Sequence, residues 1–178
     1  MSDRLRVLPW IGGRTKDFPN ATMSPLVSPV DESVVADMVD ADAAAVDAAV
    51  TNAHAAFLAH QEAPVSKRVE WLNAAADAAD KIEPQVVDAL IRVLGKPKRA
   101  ATFEHKRSGA FLRACAIQLP HINGEVLPLD LNALGANRFG FTSRIPYGVV
   151  AAATPFNAPS NMVTQKVAPA LAMATRWW

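Results

Sequence analysis

A single cysteine, Cys115, stands in a chain of 178 residues. It leaves no partner for an intramolecular disulfide and excludes any multi-cysteine zinc site. The four histidines (His54, His60, His105 and His121) are scattered, and none sits in a metal-ligand pattern such as H-E-x-x-H. No stretch reaches the roughly 18 uninterrupted apolar residues that a membrane span needs. The opening residues include Arg4 and Arg6 but no apolar run suited to a signal peptide. An excess of one charge is also missing, since 18 Lys and Arg face 17 Asp and Glu. Dedicated nucleic-acid binders are usually strongly basic, so no nucleic-acid partner is expected. With 51% hydrophobic and 20% charged residues, a packed core is accessible and wholesale disorder is excluded. The expectation is a soluble, cytoplasmic chain of one domain, or one domain and part of another.

Charge is unevenly placed. Residues 1–91 hold 7 basic and 14 acidic side chains, whereas residues 92–178 hold 11 basic and 3 acidic. Seven basic residues fall between Arg92 and Arg113. A phosphate-binding face would look like this, and so would a helix pair whose positive face meets the acidic first half. The lack of interleaved aromatic residues favours the second.

Residues 9–35 are punctuated by Pro9, Gly12, Gly13, Pro19, Pro25 and Pro29, a pattern of short strands and turns. From Asp42, a suitable N-cap, Val46, Val50, Ala53 and Phe57 recur on one face of a helix that Pro64 ends. Val65, Val69, Leu72, Ala75, Ala79 and Ile82 form the stripe of a second helix. A third starts at Glu83–Pro84, buries Val87, Leu90, Ile91 and Leu94, and stops at Gly95. A fourth covers roughly 100–118, with Phe103, Ala110, Phe111, Ala114 and Ile117 as its expected buried face and Pro120 as its end. Cys115 lies on this helix with no His or Lys placed to activate it, as a buried, inert thiol would.

Beyond residue 120 the pattern changes. Residues 124–131 read as extended, and 138–146 alternate as a strand does. Residues 148–155, GVVAAATP, are a continuous small apolar run, expected as a strand buried on both faces of a parallel sheet. Asn157 and Pro159 then open a helix carrying Met162, Val163, Val167, Leu171 and Ala172. This is strand, loop and helix, the first half of a βαβ unit in an α/β fold, with no second parallel strand after it. In such folds ligands bind at the carboxyl ends of strands, against helix N-termini. Thr154, Pro155, Phe156 and Asn157 occupy that place. The Asn157 amide could donate to a developing oxyanion, or it could simply cap the helix.

The segment IPYGVVAAATPFNAPSNMVTQKVAPALA, residues 145–172, resembles the aldehyde dehydrogenase superfamily. That family carries a Pro-x-Gly-Val-Val strand, a Thr/Ile-Pro-Trp/Phe-Asn loop, and a helix with Lys and Pro-Ala-Leu-Ala. PVSKRVEWLNAAADAAD resembles its Pro…Arg…Leu helix, and VLGKPKRAATFE its Gly-Lys-Pro…Glu segment. The resemblance runs from Trp10 to Ala172. It implies a Rossmann-like cofactor domain, a catalytic domain and a β-arm used in oligomerisation. Residues 1–127 would begin the cofactor-binding domain, 128–146 would be the arm, and 147–178 would be the first strand, loop and helix of the sheet. The family oxidises aldehydes to acids with NAD or NADP, through a cysteine thiolate that attacks the aldehyde and a glutamate that activates water. By resemblance, Asn157 donates to the oxyanion, and Thr154, Pro155 and Phe156 line the nicotinamide side. Lys166 matches a helix lysine of a proton relay, although a structural ion pair would also explain it. Glu104 matches a family position and reads as structural.

Several family features are not found in the 178 residues: the nucleophilic cysteine, the general-base glutamate, the glycine-rich turn and the Lys-Pro segment that holds the ribose. Where the family continues with Ala-Gly-Asn and a Val-rich strand, this chain reads Met173-Ala-Thr-Arg-Trp-Trp178. A one-base change of frame there can encode Gly-Asn-Ala-Val-Val. A frameshift near residue 172, in the gene or its sequencing, is therefore expected. Such a chain would be an inactive amino-terminal fragment of an NAD(P)-dependent enzyme, or a non-catalytic partner that joins full-length subunits or its own copies through the arm.

Overall fold

The computed structural model describes residues 5–173. The departure at residues 174–178 lies outside the described residues. Strands β1 (Arg6–Val7), β4 (Met23–Val27) and β5 (Val34–Val39) form a sheet of order β1-β5-β4. β5 is central, parallel to β1 and antiparallel to β4, and it buries Ala36 and Val39. Strands β2 (Trp10–Ile11) and β3 (Arg14–Thr15) form a hairpin. Its two-residue turn needs φ > 0 at both positions, and Gly12 and Gly13 supply +66° and +78°.

Five helices follow: α1 (Ala43–His60), α2 (Val65–Lys81), α3 (Glu83–Leu94), α4 (Lys98–Gln118) and α5 (Pro159–Met173). Asp42 caps α1, its Oδ1 accepting from the Ala45 N–H at 2.8 Å. Gly95 ends α3 in the left-handed conformation, φ +64°, as read from the sequence. α4 is the central helix. Leu72 and Ala76 of α2, Leu112 and Ala116 of α4, Leu119 just beyond it, and Ala168 and Ala172 of α5 make one core. Val87 and Leu90 of α3 pack on Ala101 of α4 in a second, smaller core. Small residues let these helices approach closely. A Cβ added at Gly109 of α4 would lie 2.7 Å from Asp80 Oδ1 of α2. Beside that contact Arg113 donates to Asp77 and Asp80, at 2.7 Å each, and these bonds hold its guanidinium pKa above the usual value. Arg92 also pairs with Asp88 at 3.8 Å, so two of the seven clustered cations meet the acidic first half.

Four sequence expectations need correction. The α4 face expected to be buried is not: Phe103 is 64% and Ile117 71% exposed, and Ala110 and Ala114 are exposed too. The buried residues are Ala101, Glu104, His105, Ser108, Gly109, Leu112 and Ala116. Polar side chains go inside because hydrogen bonds satisfy them, which outweighs apolar spacing. Val46 and Val50 of α1 are also half exposed, since no described element packs over them. Residues 148–155 form no strand, and Thr154 and its apolar neighbours are exposed. They run without a ladder because no described strand lies beside them to accept or donate. Finally, the strand expected over 138–146 shortens to β7 (Gly140–Phe141), paired antiparallel with β6 (Val126–Leu127). Two strands without a third gain too little burial to extend the pairing.

Candidate functional site

The loop 154–157 leads directly into α5. Pro159 takes the first helical position, where its missing N–H costs nothing, and the Ala158 carbonyl accepts from Met162 N at 2.8 Å. Thr154, Pro155, Phe156 and Asn157 are contiguous and exposed. The Asn157 side chain makes no hydrogen bond to another described residue, so the capping role falls elsewhere.

It falls to Glu104. Glu104 Oε1 accepts from the backbone N–H of Ser160 at 2.9 Å and, more weakly, from that of Asn161 at 3.5 Å. Glu104 Oε2 is paired with the Lys96 ammonium. One residue on, His105 bridges two helices. Its Nε2 lies 2.9 Å from the Ala79 carbonyl, which can only accept, so Nε2 carries the proton. In the neutral ring Nδ1 then accepts from the Ser160 hydroxyl at 3.0 Å. Ser108 Oγ completes the group at 3.1 Å from Ser160 Oγ. Glu104, His105, Ser108 and Asn161 are all buried. At the other end of α5 the buried Arg68 guanidinium donates to the Ala172 carbonyl, and burial lowers its pKa.

Lys166 sits on α5, about 10 Å along the axis from Pro159 at 1.5 Å per residue. It is half-buried and forms no ion pair with another described residue. It lines a groove of about 530 Å³ with Phe57, Trp71, Val149, Val150 and Leu171. Phe156 lines a separate groove of about 530 Å³ with Val86, Leu90, His105 and Val163. The structure therefore joins Thr154 to Asn157 in one loop, while Lys166 and Phe156 line separate grooves at different positions along α5. Cys115 lies away from both grooves on α4, half-buried, its thiol pKa pushed up by burial.

Sequence reasoning missed His105, Ser108 and Arg68, and gave Glu104 no partner. The available signal was Glu104, His105 and Ser108 at spacings of one and three, which places all three on one helix face. No described helix is long and apolar enough to cross a membrane. Among the described residues, no group of three or more His, Cys, Asp or Glu could hold a metal ion.

Comparison with known proteins gives consistent results. The model of the aldehyde dehydrogenase family matches residues 18–176. The 2-aminomuconic 6-semialdehyde dehydrogenase of a Pseudomonas species is 37% identical over 148 residues, covering 82% of this chain and 30% of that protein. The NADP-dependent glyceraldehyde-3-phosphate dehydrogenase of Pisum sativum is 35% identical over 111 residues, covering 61% of this chain and 22% of that protein. The solved NAD-dependent benzaldehyde dehydrogenase of Corynebacterium glutamicum superposes with a TM-score of 0.83 at 28% identity. That match covers 93% of this chain and 35% of the solved one. The chain spans less than a third of the length of these curated relatives, and its fold is that of the corresponding portion of the family.

Proposed function

The chain belongs to the aldehyde dehydrogenase family, and from that premise we propose that it carries the oxyanion-stabilising and nicotinamide-side residues of an NAD(P)-dependent aldehyde dehydrogenase. In this reading residues 1–127 begin the cofactor-binding domain, 128–146 are the arm, and 147–178 is the segment that opens its sheet, with the 154–157 loop and α5. The reaction oxidises an aldehyde to a carboxylic acid. Asn157 donates its side-chain N–H to the aldehyde oxygen as negative charge develops there. The supporting observation is that the Asn157 amide is exposed and unbonded to any described residue while α5 behind it is anchored. An amide left free on a fixed helix start is ready to donate without first breaking another bond.

Thr154, Pro155 and Phe156 line the nicotinamide side, and Lys166 serves as a proton carrier along α5. The chain has no G-x-G-x-x-G turn to hold a pyrophosphate, so its residues fit one wall of a dinucleotide site rather than a whole one. The cofactor, when bound, accepts the hydride. Cys115 is not the nucleophile, because its buried environment disfavours the thiolate.

A graft tests the reading. Residues 154–166 replace the matching loop and helix of the full-length 2-aminomuconic 6-semialdehyde dehydrogenase, and the chimera is assayed for nucleotide reduction. Asn157→Ala in that chimera is expected to lower kcat about 10²–10³-fold with KM little changed. A kcat within about threefold of the unsubstituted chimera refutes the role of Asn157.

A second reading, a non-catalytic fragment that associates through the arm, is favoured by a different observation. Leu131, Leu134, Phe139 and Tyr147 are 84%, 82%, 77% and 101% exposed. Large apolar side chains exposed together in one stretch of the chain suit an interaction site. Full-length subunits of the family or further copies of the chain are the partners this reading calls for.

A further inference from the structure

Both ends of α5 meet a buried group of the sign opposite to the helix end. Glu104 stands at its start and Arg68 at its finish. A helix carries about half a positive charge at its N-terminus and half a negative charge at its C-terminus, so both placements are favourable. They are nonetheless costly to build. Glu104 is 6% and Arg68 1% exposed, and burying a charge is unfavourable unless bonds replace its water. The helices do not need these charges to pack, because the alanine and leucine core already joins α2, α4 and α5. What the charges add is a fixed position along the helix axis, which an alanine contact surface does not set.

The start of α5 is held by several bonds to α4. Ser160 alone has its backbone N–H on Glu104 and its hydroxyl on His105 and Ser108, all from consecutive turns of α4. Lys96 occupies the second oxygen of Glu104, leaving Oε1 to face α5. Asn157 lies three residues before Ser160, in the turn that this anchor terminates. A slide of α5 by one residue would move that turn by about 1.5 Å. A displacement of about 1 Å at a reacting centre can cost about 100-fold in rate.

We propose that Glu104 is a positioning residue that sets where Asn157 presents its amide, by anchoring the start of α5 to α4. The inference rests on the reading of Asn157 as the oxyanion donor. Its test does not, because amide exchange and side-chain resonances need neither aldehyde nor nucleotide.

The experiment compares the full chain with Glu104→Ala and Glu104→Gln, by hydrogen exchange and by the ¹⁵N-edited resonances of the Asn157 side-chain amide. Gln keeps an acceptor oxygen at the same place, and Ala removes it. Glu104→Ala is expected to lose about tenfold in protection at residues 158–163, the size of a lost N-cap, with α2 and α3 unchanged. It should also shift the Asn157 side-chain signals. Glu104→Gln should retain most of the protection and leave those signals near their wild-type positions. Unchanged exchange at 158–163 in Glu104→Ala overturns the anchor. So does a loss spread evenly over α2, α3 and α5, which would make Glu104 a general stabiliser. Faster exchange at 158–163 with unmoved Asn157 signals overturns the link to Asn157. If Glu104→Ala fails to fold, Glu104→Gln and Ser160→Ala carry the test. Ser160→Ala removes only the hydroxyl anchor and should raise exchange at the same residues by a smaller factor, and no change there overturns the proposal. A failure of Asn157 as oxyanion donor would appear only in the grafted enzyme's kcat.

Discussion

Leu72→Ala measures how much of the helical layer depends on a few large side chains. Leu72 is fully buried, at 0% exposure, at the centre of the α2, α4 and α5 core. Of the other six buried members of that core, four are alanines: Ala76, Ala116, Ala168 and Ala172. Alanine has no rotamer with which to reach into a void, so among the buried members only Leu112 and Leu119 could reach in. The gap left by Leu72 should therefore stay largely open. Buried Leu→Ala changes cost about 2.7–5 kcal/mol, rising with the volume that remains empty. A site unable to collapse belongs in the upper half of that range, about 4 kcal/mol. Whole domains are stable by only about 5–15 kcal/mol, so this change should remove a large part of the total. The assay is urea unfolding followed by far-ultraviolet circular dichroism at one fixed protein concentration, since association through the arm would make the midpoint concentration-dependent. Leu58→Ala on α1, at a side chain 53% exposed, is the control and should stay within about 0.5 kcal/mol. A loss below about 2 kcal/mol at Leu72 with an unchanged slope would refute the argument that alanine neighbours hold the cavity open.

Two further predictions concern reactivity and association. The chain as printed should not reduce NAD or NADP with an aldehyde. Iodoacetamide should modify Cys115 more slowly near neutral pH than a free thiol of ordinary pKa, with the rate rising to a higher pH, because burial raises its pKa. Turnover abolished by Cys115→Ala would contradict the first statement, and alkylation as fast as a free thiol the second. In size-exclusion chromatography the chain should elute as an oligomer or aggregate, and Leu134→Glu with Phe139→Lys should move it towards monomer, since both side chains are largely exposed. A monodisperse monomer before substitution would show that the apolar row is tolerated in water.

The helices were legible because their signals are local. Asp42, Pro84 and Gly95 act through a few backbone groups next to them, so a cap or a stop can be read without knowing the rest of the fold. The apolar spacing that places α4 over roughly 100–118 comes within two residues of its start at Lys98. Strands depend on distant partners, and there the reading fell short. The apolar run 148–155 has the composition of a buried strand, but composition supplies neither hydrogen-bond donors nor acceptors. With no described strand beside it, the same residues run exposed. The helical face of α1 failed for the same reason, because an apolar stripe says that something covers it and not what does.

The face of α4 failed for a different reason, and it is the one that bears on function. Apolar spacing favoured Phe103 and Ile117, and both point to solvent. The true inner face combines Ala101, Gly109, Leu112 and Ala116, which allow close helix approach, with Glu104, His105 and Ser108, which no hydropathy pattern would bury. A polar residue enters a core when its partners are supplied in three dimensions. Here the backbone N–H groups of Ser160 and Asn161 reach Glu104 from 56 and 57 residues further along the chain, and the Ser160 hydroxyl meets His105 from 55. That separation hides the arrangement from any window reading. It also explains why the loop at 154–157 could be recognised by its residue types, while the group that steadies it could be found only from the fold. A carboxylate buried against a helix start is costly to place and adds little that alanine packing could not, unless the position of that start matters. In this chain Asn157 lies two residues before that start, which is where a requirement for position would be felt.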